Sequence, residues 1–287
     1  MTHKSPRPYS GHRIDRRERI GQAWSQVTCA SDRAPERTYR FNALGFRGPE
    51  FDPESRFMVF VFGEDDAFGV GVDFEETWPY LVALREAAHR GVDPADMCVM
   101  NFAEGESSNS GIARMVVTQC ACVVPDLVLI NFAEHERAEG YADGSTFPIG
   151  PWLRAEATDH AARPEPPAAG QFARALAFLR YCDHDQGVFQ STRDILLVQA
   201  TLQDHGIDAV AIAREPEELQ RADLRTDPAL GPLIDLIDES FFARHISPLT
   251  LVDRIDWRDD GQHFGPSTHE AIAKRVIEHL AARHCVR

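Results

Sequence analysis

The chain has 287 residues, 43% of them apolar, enough for one sizeable core. A formal net charge of −15 argues against nucleic acid or an anionic membrane surface as the main partner, because both reward clustered Lys and Arg; a small-molecule substrate or another protein fits better. No apolar run reaches the roughly 18 to 20 residues of a membrane helix, no signal-type hydrophobic region follows the basic start, and the cysteines lack C-x-x-C spacing, so a cytoplasmic protein with reduced thiols is expected.

In chain order, residues 1–40 form a basic extension, with Lys4, Arg7, Arg13, Arg16, Arg17 and Arg19 outnumbering Asp15 and Glu18. A solvated arm or a helix packed on the surface accounts for it. The domain proper is expected over 41–287. Its clearest strand is Phe57 to Phe62, a continuous apolar run of the kind needed by a strand covered on both faces. Gly63 ends it and a loop is expected. Helical spacing follows over Glu76 to Arg90, with Pro79 tolerable in a first turn. Met97 to Asn101 reads as a strand, Ile112 to Val123 as a helix, and Leu127 to Phe132 as a third strand. Between about 137 and 170 the chain is rich in Gly, Pro, Ala and charge without periodicity, which marks an insertion and suggests a lid. Helices are expected at Gln171 to Tyr181 and Thr192 to His205, and a strand at Ala209 to Ala213. A polar connection spans Arg214 to Pro232. A short apolar segment at Leu249 to Ile255, a polar loop and a closing helix from Pro266 to Arg283 complete the chain. Cys29, Cys98, Cys120, Cys122, Cys182 and Cys285 are read as mostly buried small hydrophobes.

Strands alternating with helices imply a three-layer α/β/α sandwich around a central parallel sheet, flavodoxin-like, with right-handed crossovers. In such a sheet the ligand crevice lies at the carboxyl ends of the strands. The loops expected there are Gly63-Glu64-Asp65-Asp66, Asn101 to Gly105, and Glu134-His135-Glu136, with the Asp260/His263 loop closing over the same edge. Taken alone, an acidic triplet after a strand is a solvated turn and His135 a loop histidine. Asp66, Asn101 and His269 read as structural, and Ser107 and Ser108 as caps of the next helix.

Four ordered blocks raise the functional reading above that background. Asn42 to Gly48 leads into Phe62-Gly63-Glu64-Asp65-Asp66-Ala67-Phe68-Gly69; Asn101 to Gly105 follows, then Pro125 to Glu136, then Asp260-Gly261-Gln262-His263. Together they resemble the SGNH or GDSL hydrolases, over roughly residues 40 to 137 and 255 to 285. In that family the first turn reads Gly-Asp-Ser with a nucleophilic serine. The resemblance places Glu64 at the Asp and Asp65 at the Ser. It implies that Gly105 donates a backbone N–H to the oxyanion and that Asp260 and His263 form the Asp-x-x-His. His135 then stands where the family holds an oxyanion-binding Asn, followed by Glu136 for Asp.

A carboxylate has no proton to lose at neutral pH and is a poor nucleophile toward esters, since the anhydride formed would expel the carboxylate again. It is competent toward saturated or glycosidic carbon, and as a general base or acid. Three readings stand. In the first, Asp65, His263 and Asp260 act as an acid/base or nucleophilic constellation on an acyl, ester or sugar-like small molecule, with His135 assisting, Gly105, Glu64, Glu136 and Asn101 lining the substrate side, no cofactor, and a place in specialised biosynthesis. In the second, Asp65, His135 and His263 hold Fe(II), Zn or Mn. In the third, the protein binds a ligand or partner without catalysis.

Overall fold

The computed structural model describes residues 23–26, 37–142, 145–150, 184–213, 222–238, 240–241, 255–256 and 263–284. Among the described residues, four parallel strands form the central sheet: β3 (Phe57–Gly63), β4 (Met97–Asn101), β5 (Leu127–Phe132) and β8 (Ala209–Ala213), in the order β4-β3-β5-β8. β3, β5 and β8 are buried along their whole length. That burial is why their sequences lack polar alternation.

Alternate side chains feed two cores. Phe60, Phe62, Val128, Ile130 and Ala211 pack on α3 (Asn109–Cys120) and α4 (His184–Asp204). Val59, Val61, Leu129, Val210 and Ile212 pack on α2 (Trp78–His89) and α7 (Pro266–His284). The result is an α/β/α sandwich with helices on both faces. No helix among the described residues is long and apolar enough to cross a membrane.

The chain leaves β3 toward β4 on one side and returns to β5 on the other, so the topological switch point lies between the carboxyl ends of β3 and β5. Gly63 is there in register with Asn131. The loops that follow these two strands carry Glu64-Asp65 and Glu134-His135.

Several elements differ from the sequence expectation. After Gly63 there is a helical turn, α1 (Asp65–Phe68), and not an open loop. α3 starts three residues earlier than expected because Ser108 Oγ accepts the Gly111 N–H at 3.1 Å, fixing the N-cap. α4 starts at His184 and not at Thr192; its first turns are polar and contain Gly187, which weakens the apolar period. The segment read as an aperiodic insertion begins with an antiparallel hairpin, β6 (Ala138–Ala142) and β7 (Ser145–Ile149). The polar connection after β8 contains two short helices, α5 (Ala222–Thr226) and α6 (Gly231–Ile234). Cys122 is exposed, unlike the buried Cys98 and Cys120, because it lies past the end of α3. The expected helix at Gln171 to Tyr181 and most of the 249–255 segment lie outside the described residues.

Near the N-terminus, β1 (Ala23–Gln26) pairs antiparallel with β2 (Arg37–Arg40). Tyr39, inside the segment read as an extension, is buried; it stacks edge-on with Phe68 and its hydroxyl accepts the Gly71 N–H at 2.7 Å.

Candidate functional site

Gly63 takes φ 151°, and a Cβ there would meet Ala67 Cβ and the Asn131 carbonyl oxygen, each at 2.8 Å. Glycine alone lets the strand turn this tightly into α1. The turn buries Glu64 and Asp66 and leaves Asp65 at the helix start. Of residues 57 to 72, Asp65 alone is not buried.

The loop after β4 comes to meet it. The Glu104 N–H donates to the Gly63 carbonyl at 3.0 Å, and a Cβ on Gly105 would stand 2.6 Å from Asp65 Oδ1. Asn101 is committed elsewhere. Its amide donates to the Ala67 carbonyl and accepts the Ala103 N–H, both at 3.0 Å, so this buried side chain fastens the two loops.

The turn carrying Asp65 is also held from behind by Arg47. This buried guanidinium donates to the carbonyls of Phe68, Gly69 and Val72 and stacks on the rings of Tyr39 and Phe68.

The largest departure from the sequence reading is Arg137. Nη1 lies 3.0 Å from Glu64 Oε2 and 3.6 Å from Asp65 Oδ2, while Nε donates to Glu134 Oε2 at 2.7 Å. Its side chain is 8% exposed and that of Glu64 0%. Burial works against the guanidinium charge, but Glu64, Glu134 and Asp65 outweigh it and hold the pKa above its ordinary value. No sequence motif announces this residue. The only hint is its place, two residues beyond His135 at the base of the hairpin.

His135 is buried beside this cluster. Its ring meets that of His184 edge-on, centroids 5.5 Å apart, and its backbone carbonyl lies against Gly187 on α4. Glu136 is exposed. Nothing in the sequence pattern marks His184.

On the closing loop, His263 is partly exposed and Asp260 lies outside the described residues. The start of α7 is pinned to the start of α2, where the Trp78 N–H donates to His269 Nδ1 at 3.2 Å. α2 follows β3 from the carboxyl edge of the sheet, so the start of α7, beside the first turn of α2, lies toward that edge. Asp256, grouped from the sequence with the polar loop, caps α7: its carboxylate accepts the N–H groups of Ser267 and Thr268, each at 2.9 Å.

Among the described residues no group of three or more His, Cys, Asp or Glu side chains is arranged to hold a metal ion, and Asp65, His135 and His263, all described, form no such set. The position beside Asp65 is filled by a guanidinium, a cation fixed in the chain.

The fold and site together define a doubly wound α/β protein with a paired carboxylate cluster at its switch point. No protein-family model matches the chain, and no curated protein matches it. Among solved structures it is similar to TesA, with 13% identity and a TM-score of 0.44 over 78% of this chain and 97% of that one. It is also similar to the psychrotrophic esterase EstA from Pseudoalteromonas sp., with 12% identity and a TM-score of 0.43 over 78% of this chain and 97% of that one. A third likeness is to Axe2, an acetyl xylan esterase from Geobacillus stearothermophilus, with 12% identity and a TM-score of 0.36 over 79% and 95% of the two chains.

Proposed function

We propose that the chain is a divergent SGNH-type enzyme that acts on a small molecule through Asp65, His263 and Asp260 and is not a serine esterase. The observation that carries this reading is the placement of Asp65: the one residue of 57 to 72 that is not buried, at the switch point, with its carboxylate against Gly105. The four sequence blocks in their family order support it as well. In this reading Asp65 supplies a carboxylate to tetrahedral carbon or takes a proton, and His263, oriented by Asp260, carries the proton to or from the reacting oxygen. His135 and Gly105 serve the substrate's developing charge.

The direct test is a substrate screen with purified wild type, Asp65→Asn and His263→Ala. The expected outcome is negligible turnover of aryl esters and one activity, on an acyl, ester or sugar-like compound, lost in both variants. Aryl-ester turnover that depends on His263, or a true activity indifferent to both substitutions, would overturn the proposal.

Arg137 also favours a second reading, a binding protein without catalysis, since its charge already engages the carboxylate of Asp65. Tight binding of a ligand with no chemical change in it would select that reading.

A further inference from the structure

We infer that Arg137 is a positioning residue for Asp65, and that the β6–β7 hairpin belongs to the site as the element that delivers it. The inference rests on the enzyme reading above. Two carboxylates adjacent in sequence, Glu64 and Asp65, stand at one strand end, where their mutual repulsion would turn Asp65 away unless a cation lies between them. Arg137 is that cation, with Glu64 and Glu134 as the tight contacts at 3.0 and 2.7 Å and Asp65 as the looser one at 3.6 Å. The two tight contacts fix the guanidinium plane, and the fixed plane sets where the Asp65 carboxylate rests.

The hairpin is anchored on its far side. Glu139 on β6 accepts both Nε and Nη2 of Arg114 on α3, at 2.9 and 2.7 Å. This forked pair clamps β6 to the helix. Arg137, one residue before β6, is thereby held between the clamp and the carboxylates. Part of what reads as an insertion thus serves to aim the Asp65 carboxylate, so Arg137 acts through Asp65 and needs no contact with substrate.

A carboxylate-directed epoxide, 1,2-epoxy-3-(4-nitrophenoxy)propane, reports the aim of Asp65 without a known substrate. A carboxylate oxygen forms a bond to the unsubstituted ring carbon, the ring C–O bond breaks, and the alkoxide takes a proton from His263 or water. The product is a hydroxyalkyl ester carrying the whole mass of the reagent, located by peptide mass spectrometry. Wild type is expected to label at Asp65 ahead of its other carboxylates. Arg137→Gln should slow that labelling about tenfold, because a small misplacement is costly to a directed attack. Arg137→Lys keeps the charge without the fork and should recover to within about threefold of wild type. Arg114→Gln, which leaves the carboxylate cluster untouched, should slow labelling as well and stands in if Arg137→Gln does not fold. Equal labelling in wild type and in whichever of these variants folds would overturn the inference alone. Absence of Asp65 labelling in wild type would take down the enzyme reading and the inference with it.

Discussion

The guanidinium of Arg137 bridges two neighbouring carboxylates of unlike exposure, lying 3.0 Å from the fully buried Glu64 and 3.6 Å from the partly exposed Asp65. A buried pair of this kind adds little net stability, yet breaking it from one side leaves a charge without compensation. Arg137→Met should therefore destabilise the fold by about 3 to 5 kcal/mol, measured by urea unfolding. The double variant Glu64→Gln/Arg137→Met should be clearly less damaged than the single one. A double variant as unstable as the sum of the two singles would contradict this account of the pair.

His269 makes the fold sensitive to mild acid. Its ring is buried, and desolvation together with the nearby Arg47 charge, partly opposed by Asp256, pushes its pKa down to about 3. The native state then refuses a proton that the unfolded chain accepts below about pH 6.5, so stability present at neutral pH falls as the pH drops below that value. Between pH 7.5 and 5.0 the expected loss is about 2 kcal/mol. Denaturation midpoints of wild type and His269→Gln at the two pH values check it, since the variant should lack this component of the slope.

Two glycines touch the site and should respond differently to a methyl group. At Gly187 a Cβ would stand 2.6 Å from the backbone oxygen of His135, and backbone cannot give way. Gly187→Ala should cost about 2 kcal/mol even after the gain in helix propensity. At Gly105 the atom in the way is Asp65 Oδ1, the end of a flexible side chain, at 2.6 Å. Gly105→Ala should change stability by less than about 1 kcal/mol while displacing the carboxylate and lowering any activity that depends on it. Chemical denaturation of the two variants, with activity measured alongside, tests the contrast.

The cysteines offer a check on the packing. Burial pushes the Cys120 thiol up to about 12 and raises that of Cys98, whereas Cys122 is exposed. Among these three, iodoacetamide under native conditions should label Cys122 well ahead of the others, read by mass spectrometry of the peptides. Rapid native labelling of Cys120 would mean that α3 does not cover the sheet as described.

The strands were legible because burial on both faces leaves its mark residue by residue. Phe57 to Phe62, Met97 to Asn101, Leu127 to Phe132 and Ala209 to Ala213 were readable as apolar runs without reference to anything distant, and the observed strands match them closely. The start of α4 is not readable, since His184 to Gly187 carry no apolar period, while His184 and Gly187 pack against His135. The hairpin is illegible for a similar reason: β6 is fastened by the Arg114–Glu139 pair, and its sequence, Ala138 to Ala142, alternates too little to declare a strand.

The sequence by itself therefore determined the layered fold and the fact that Asp65 would stand at the carboxyl end of β3, because both follow from local apolar pattern and a glycine at the strand end. Only the tertiary structure decided what surrounds that carboxylate. It brought Arg137 in from the hairpin, drew Asn101 away to bind backbone, and sealed Glu64 from solvent. Such partnerships depend on how separate loops converge over the β3–β5 register, and the energy of a charge or an amide depends on what stands within a few ångströms of it, which no short stretch of sequence encodes.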